Sequence, residues 1–157
     1  MRDGNGSWGA GEAGTLRRLL LALLLLGIAG LAAELVLLEH TESLWQWVPL
    51  AALGAALACA LAVALRPSAR TVRALQAVMA VCVAAGALGF WLHLRGNLEW
   101  ELESDPSLGG WPLLRAALYG ATPALAPGAL AQLGLLGLAL THGHPALRRD
   151  PPRKERP

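Results

Sequence analysis

The chain has little charge. Asp, Glu, Lys and Arg together make up 15% of its 157 residues, against about 25% in an average soluble domain. Hydrophobic residues make up 55%, and the mean hydropathy is +0.46. The chain also contains long uninterrupted apolar runs, which a soluble core of this size does not need. The composition therefore argues against a soluble domain and for an integral membrane protein.

The familiar motifs of catalysis, nucleotide binding and metal binding are also missing. The two cysteines, Cys59 and Cys82, form no CxxC pair and fall within apolar runs, which is typical of small buried hydrophobic residues. There is no HExxH, ExxH or HxxxH spacing, no glycine-rich nucleotide loop, no Ser-His-Asp set and no Cys-His nucleophile. Nothing makes a positive case for an enzyme, and we expect no nucleic acid partner.

Three long apolar runs predict membrane-spanning helices. Between residues 19 and 38 the only charge is Glu34, and residues 44–65 and 74–92 carry none. Each run has about 20 residues, roughly what a helix needs to cross 30 Å of hydrocarbon. The runs do not alternate polar with apolar residues, so helices are favoured over a barrel.

The first run could instead be a signal peptide, since Arg17 and Arg18 precede it and residues 30–32 offer a small-residue cleavage site. A signal peptide has an apolar region of about 7–15 residues. Here the run continues to Leu38, which favours a retained span.

We predict an all-α integral membrane protein, a bundle of four transmembrane helices with a short interfacial helix before the fourth. The membrane domain covers residues 16–142, between a flexible tail at 1–15 and a basic, proline-rich tail at 143–157. The spans are predicted at about 16–40, 45–65, 71–94 and 122–142. An outer loop at 95–112 includes a stretch in which acidic and apolar residues alternate, and period two predicts a short extended segment there.

The interfacial helix is predicted at about 112–121, because Trp111, Arg115 and Tyr119 recur every four residues on one stripe. Thr122 followed by Pro123 resembles an N-cap with proline at the first helical position, where the fourth span would begin.

Basic residues indicate the orientation. Eleven of the 13 Lys and Arg residues fall before the first span, between the second and third, or after the fourth; Arg95 and Arg115 fall on the other side. The positive-inside rule then places both termini in the cytoplasm. The tryptophans agree with this, because all but Trp8 fall near the outer interface. The predicted outer anchors are Trp45, Trp47, Trp91, Trp111, Arg115 and Tyr119.

Small residues recur at helical spacing inside the predicted spans. Gly86 and Gly89 are three apart, as are Gly134 and Gly137, and Gly54 begins a stripe with Ala58 and Ala62. Such stripes let helix backbones approach closely. They predict helix packing within one bundle, with a homodimer face as the alternative.

The polar residues at the predicted outer end are the candidates for chemistry. Imidazole with carboxylate suits several divalent metals, and the topology predicts one outer rim that contains the candidate ligands His40, His93, Glu39, Glu42, Glu99 and Glu101. Asn97 and Glu103 belong to the same rim. Glu34 lies deeper, where a carboxylate is expensive and usually faces the bundle interior, and Gln132 is a candidate partner for it.

Three hypotheses follow for the function. The first is a non-enzymatic accessory protein of a bacterial inner membrane, whose acidic rim binds a partner or a divalent cation. The second is an oligomeric ion or small-solute transporter that uses Glu34. The third is an electron carrier with haem between His40 and His93. Expected partners are the lipid bilayer and either a second copy or another membrane protein. The bacterial origin is inferred from an Ala-, Leu- and Arg-rich composition with a single lysine.

Overall fold

Helices make up all the regular structure in the described part of the chain. The computed structural model describes residues 10–120 and 123–148. These residues form the helices α1 (Ala10–Leu37), α2 (Leu44–Leu65), α3 (Ala69–Ser104), α4 (Gly110–Leu118) and α5 (Gly128–Thr141), followed by a 3₁₀ turn at Pro145–Leu147. No strand occurs within these two ranges. The predicted all-α fold is confirmed for them.

Three of the helices are long and apolar enough to cross a membrane. These are α1, α2 and α3, with 28, 22 and 36 residues. The fourth apolar helix, α5, has 14 residues, or about 21 Å at 1.5 Å per residue.

Short turns make the first three helices antiparallel neighbours. The turn after α1 is a Schellman motif: the His40 amide donates to the Leu35 carbonyl (3.0 Å) and the Glu39 amide to that of Val36 (3.0 Å). Glu39 occupies the left-handed position with φ of 51°. The α2–α3 turn begins at Arg66 and Pro67, and Ser68 then caps α3 by accepting from the Thr71 amide (3.2 Å). Since proline cannot continue the helix, α2 stops here.

The buried core contains side chains from α1, α2, α3 and α5, and within it α5 crosses α3 at close range. A Cβ added to Gly134 would lie 2.6 Å from the Met79 carbonyl oxygen, and one added to Gly86 would lie 2.6 Å from the Ala131 amide nitrogen. Gly137 makes the same kind of close approach to the Met79 side chain. The prediction that these glycines pack helices within one bundle is confirmed. The stripe that begins at Gly54 differs, because a Cβ there would meet nothing within 4 Å.

The predicted extended segment in the outer loop is wrong. Residues 95–104 continue α3 as a helix, and the true loop is residues 105–109. Helical pairs at four-residue spacing stabilise this stretch, as in the ion pair between Arg95 Nε and Glu99 Oε1 at 2.7 Å. The apparent alternation of period two arose because Glu residues at 99, 101 and 103 are compatible with either geometry over so short a stretch.

Two predicted features lie partly outside the described residues. The tail predicted at 1–15 includes residues 1–9, which are not described, whereas α1 already begins at Ala10. Thr122, the predicted cap of the fourth span, is not described either. The described part of that segment begins at Pro123, and α5 begins five residues later.

Candidate functional site

The charged side chains of the described residues separate to opposite ends of the bundle. The Arg17 Nη2 donates to the Gly143 carbonyl at 3.1 Å, so the start of α1 and the end of α5 lie together. Because the intervening helices reverse direction at each turn, the turn after α2 shares this end. The basic end has six arginines and one glutamate: Arg17, Arg18, Arg66, Arg70, Arg73, Arg148 and Glu12. The acidic end has seven carboxylates and two arginines: Glu34, Glu39, Glu42, Glu99, Glu101, Glu103, Asp105, Arg95 and Arg115.

The acidic end is built on the last ten residues of α3, residues 95–104, which we call the α3 extension. At 36 residues α3 is about 54 Å long, well beyond the roughly 30 Å of a hydrocarbon core. Glu99 and Glu103 lie one turn apart and are both exposed. Beside them the Trp100 side chain is 60% exposed. The α3 extension thus presents carboxylates together with an aromatic ring to the surroundings.

α3 is followed by Asp105, whose carboxylate forms a local turn with Ser107. Asp105 Oδ1 accepts from the Ser107 amide (3.0 Å) and from the Ser107 hydroxyl (2.6 Å). These hydrogen bonds hold the pKa of Asp105 below its usual value, because they favour the charged form. The turn lies between α3 and α4.

The α3 extension is anchored to α4 by a buried amide. Asn97 is only 3% exposed, and its Nδ2 donates to the Ala117 carbonyl at 2.8 Å. Gly120 allows this approach, since a Cβ there would lie 2.8 Å from the Asn97 Cγ. A buried amide with its hydrogen bond made is a specific clamp, because leaving it unpaired would be costly. Sequence analysis placed Asn97 on the rim and missed this packing role.

His93 holds the segment that precedes α5. Its Nδ1 lies 3.1 Å from the Pro123 carbonyl oxygen. A carbonyl can only accept, so Nδ1 carries the proton. One turn deeper, a Cβ on Gly89 would lie 2.8 Å from the Pro127 ring. His93 and Gly89 therefore position the start of the fourth apolar segment.

The six predicted metal ligands are distributed over separate elements. Glu39, His40 and Glu42 lie in or near the turn after α1, whereas His93, Glu99 and Glu101 lie along α3. Glu99 is paired with Arg95 and His93 with Pro123. Across residues 10–120 and 123–148, no three His, Cys, Asp or Glu side chains form a group that could hold a metal ion. The rim is acidic without being a cluster of ligands.

Glu34 faces outward from the bundle. Its side chain is exposed, and it lies one turn before α1 ends at Leu37. The closest approach of α1 to α5 sets Gly27 against Leu133. Glu34 lies about two turns beyond Gly27 on α1, whereas Gln132 is the residue just before Leu133 on the antiparallel α5. At 1.5 Å per residue, Glu34 and Gln132 are therefore about 9 Å apart along the bundle axis. Gln132 is itself exposed, and no hydrogen bond joins the two side chains. The expected interior position of Glu34 is not observed, because α1 packs through Leu24 and Ile28 instead.

The predicted interfacial anchors are all exposed. Trp45, Trp47 and Trp91 present more than half of their surface, and the Trp47 Nε1 donates to the Thr41 carbonyl (3.2 Å). The remaining three anchors line one shallow groove on the surface of α4: Trp111, Arg115 and Tyr119.

The basic end contains an open groove of about 550 Å³. One side is a stripe on α1 made of Gly14, Arg17, Arg18 and Leu21. The other side comes from the end of α2 and the residue pair that follows it, the end of α5 and the 3₁₀ turn: Val63, Ala64, Pro67, Leu140, His144, Pro145 and Ala146. We call this set the basic groove. Sequence analysis missed it, because it depends on the contact of α1 with a tail segment more than 120 residues away.

His144 lines the groove as an acceptor. Its Nδ1 accepts from the Ala146 amide at 3.1 Å, which requires an unprotonated Nδ1. Burial, and then the nearby Arg17 charge, lower the pKa of His144 below its ordinary value. The ring is therefore neutral near pH 7.

No family model, curated protein or solved structure matches this chain.

Proposed function

We propose that the protein crosses the inner membrane of a bacterium four times, with both termini in the cytoplasm. Three long apolar helices support the first three spans. For the fourth, the segment at 123–127 makes hydrogen bonds of 3₁₀ type, such as the Gly128 amide to the Leu125 carbonyl (2.9 Å). At about 2.0 Å per residue it adds roughly 10 Å to α5, and together they extend about 31 Å. Four spans would then leave the basic end in the cytoplasm. In this arrangement α4 lies at the outer interface.

Cysteine labelling tests this topology. Ser107 in the loop after α3 and Ser68 in the turn after α2 are both exposed. Each is replaced by cysteine in a Cys59→Ala/Cys82→Ala background, in intact inner-membrane vesicles of known orientation. We expect a membrane-impermeant maleimide to label Ser107→Cys only from the periplasmic face and Ser68→Cys only from the cytoplasmic face. Labelling of both cysteines from the same face would mean that α3 does not cross the membrane, which would contradict the proposed topology.

Its role, we propose, is that of a non-enzymatic accessory protein that binds a basic segment of another membrane protein. The single observation that carries this is the α3 extension, where Glu99 and Glu103 share an exposed face next to Trp100. Carboxylates attract lysine and arginine, and an exposed aromatic ring adds cation–π attraction. A divalent cation is a poorer ligand for this surface, because the carboxylates follow a helix instead of surrounding one point.

The other two hypotheses receive less support. An oligomeric transporter that uses Glu34 would need a second copy to enclose this carboxylate, because within one chain its side chain is exposed. Haem between His40 and His93 needs two imidazoles from the sides of facing helices. His40 lies in the turn after α1 and not on the side of a helix. The hydrogen bond from His93 Nδ1 to the Pro123 carbonyl leaves Nε2 of that ring open, so the position of His40 alone weighs against haem.

Photo-crosslinking tests the accessory role. A photoreactive residue is placed at Leu102, which is 41% exposed on the α3 extension, in the full-length protein in cells. We expect a crosslink to one membrane protein that Glu99→Gln/Glu103→Gln abolishes. Arg70→Gln/Arg73→Gln, which removes two charges from the opposite end of the same helix, should leave it unchanged. A crosslink that survives loss of the carboxylates, or that never forms, would contradict the proposal.

A further inference from the structure

The basic groove combines positive charge with apolar side chains. Its α1 side carries Arg17 and Arg18, and none of the described residues that line it is acidic. Apolar side chains line it as well: Leu21 on the α1 side, and Val63 and Leu140 on the other. A volume of about 550 Å³ lies within the range of small-molecule sites.

Arg17 and Arg18 both have N–H groups available to an anion, although their own contacts differ. Arg17 is held by one hydrogen bond from Nη2 to the Gly143 carbonyl, which fixes the guanidinium and leaves its other N–H groups available. Arg18 is exposed and makes no ion pair with any described residue. One guanidinium group can donate two parallel N–H hydrogen bonds to two oxygens of the same phosphate.

The apolar side chains distinguish between anions. Leu21 belongs to α1 and Val63 to α2, and both helices are long and apolar enough to cross a bilayer. A ligand in the groove would therefore have its charged part at Arg17 and Arg18 and an apolar part directed along the spans. A water-soluble anion would leave those side chains unused.

We propose that the basic groove binds one anionic phospholipid, with the phosphodiester at Arg17 and Arg18 and the start of an acyl chain along Leu21 and Val63. The occupant is a lipid because charge and apolar surface complement it together, at the end of helices long enough to span a bilayer. This site is separate from the acidic surface of the proposed partner interaction, and it does not depend on which side of the membrane the basic end occupies.

Native mass spectrometry of the full-length protein in a neutral detergent tests the proposal with phosphatidylglycerol as the probe. We expect one phosphatidylglycerol per chain in preference to phosphatidylethanolamine. Arg18→Gln should weaken this binding by about tenfold or more, as expected for loss of a charged hydrogen bond. Arg73→Gln removes one exposed charge at the same end without lining the groove and should weaken it less than about threefold, because solvent screens isolated surface charges. Equal losses in both variants would mean attraction to general positive charge and would overturn the site.

A second pair of variants does not alter charge. A Cβ on Gly14 or on Gly30 meets nothing within 4 Å, so a leucine side chain at either position of α1 starts in open space. Gly14→Leu fills the groove and should abolish the bound lipid, whereas Gly30→Leu should not. Lipid binding that persists in Gly14→Leu would overturn the proposal.

A third measurement separates a lipid from a soluble phosphate. Glycerophosphoglycerol, the deacylated form of the lipid, carries the same phosphodiester without acyl chains, and it should fail to displace phosphatidylglycerol even at a hundredfold excess. If glycerophosphoglycerol competes on equal terms, the groove is a site for a soluble phosphate compound and the lipid assignment is wrong.

Discussion

Substituting Gly134 by alanine should destabilise the protein, because the α3–α5 crossing leaves no room for a methyl group. A Cβ at this position would lie 2.6 Å from the Met79 carbonyl oxygen, 2.7 Å from Val83 Cγ2 and 2.9 Å from the Val83 amide nitrogen. Carbon–oxygen contacts between packed helices are normally about 3.3–3.6 Å. The two helices must therefore separate by about 0.7 Å at this point. Two of the three contacts are backbone atoms, so no side-chain rotation relieves the clash.

The expected cost is about 1–3 kcal/mol, the usual range for overpacking a close-packed interface. A gap of this size also forfeits about a quarter to a half of the dispersion attraction of the atoms that line it. Alanine is the better helix former by about 1 kcal/mol in water, and this gain offsets part of the loss.

The matched control is Gly54→Ala, which replaces a glycine in the middle of α2 where a Cβ meets nothing within 4 Å. Its effect should be neutral or slightly stabilising. The assay is reversible unfolding in mixed micelles, followed by helix content, with the free energy of unfolding compared among wild type, Gly134→Ala and Gly54→Ala. If Gly134→Ala unfolds at the same denaturant concentration as Gly54→Ala, the close approach of α3 and α5 is not real.

Two further predictions concern the polar contacts at either end. Asn97→Ala should cost about 1–3 kcal/mol by leaving the Ala117 carbonyl without its buried donor, and hydrogen exchange should accelerate in α4 while α2 is unaffected; unchanged protection of α4 would contradict the clamp. The lowered pKa of His144 means that the folded protein binds fewer protons than the unfolded chain. Stability should therefore decrease as the pH falls from the ordinary histidine value through the lowered one. His144→Asn, whose side-chain oxygen can still accept from the Ala146 amide, should flatten this dependence in unfolding measured between pH 4 and 8, and an unchanged slope would assign the titration to another group.

The helices were predictable because apolar length is a strong signal. In the second predicted span, 45–65, the charge-free run ends where Arg66 and Pro67 interrupt it, and α2 occupies Leu44–Leu65. The small-residue spacing of Gly134 and Gly137 was informative for a related reason, since only a close helix crossing needs glycine at three-residue intervals on a helix.

The polar residues were harder to place, because their positions depend on contacts between distant segments. The side chains of 95–104 fit a strand or a helix over so few residues, and the helix is favoured by the Asn97 contact to α4, twenty residues away. Glu34 was expected inside the bundle because of its depth in an apolar run. Helix rotation decides which side chain faces inward, and the packing of Leu24 and Ile28 turns Glu34 outward. Neither contact has a counterpart in local sequence.

The crossing of α3 and α5 lies between the acidic end and the basic end of the bundle. A single helix, α3, carries the acidic extension at one end and meets α5 at Gly86 and Gly134 in its middle. From there α5 runs to Thr141, and His144, shortly after its end, lines the basic groove. Since α5 has only 14 residues and enters through a non-helical segment, α3 is the main support for its position. A displacement at Gly134 must therefore reach the groove through His144 and Pro145, whereas the carboxylates on the α3 extension, which belong to the undisturbed helix, should keep their places. We therefore expect Gly134→Ala to lose lipid binding and to keep the crosslink to the partner.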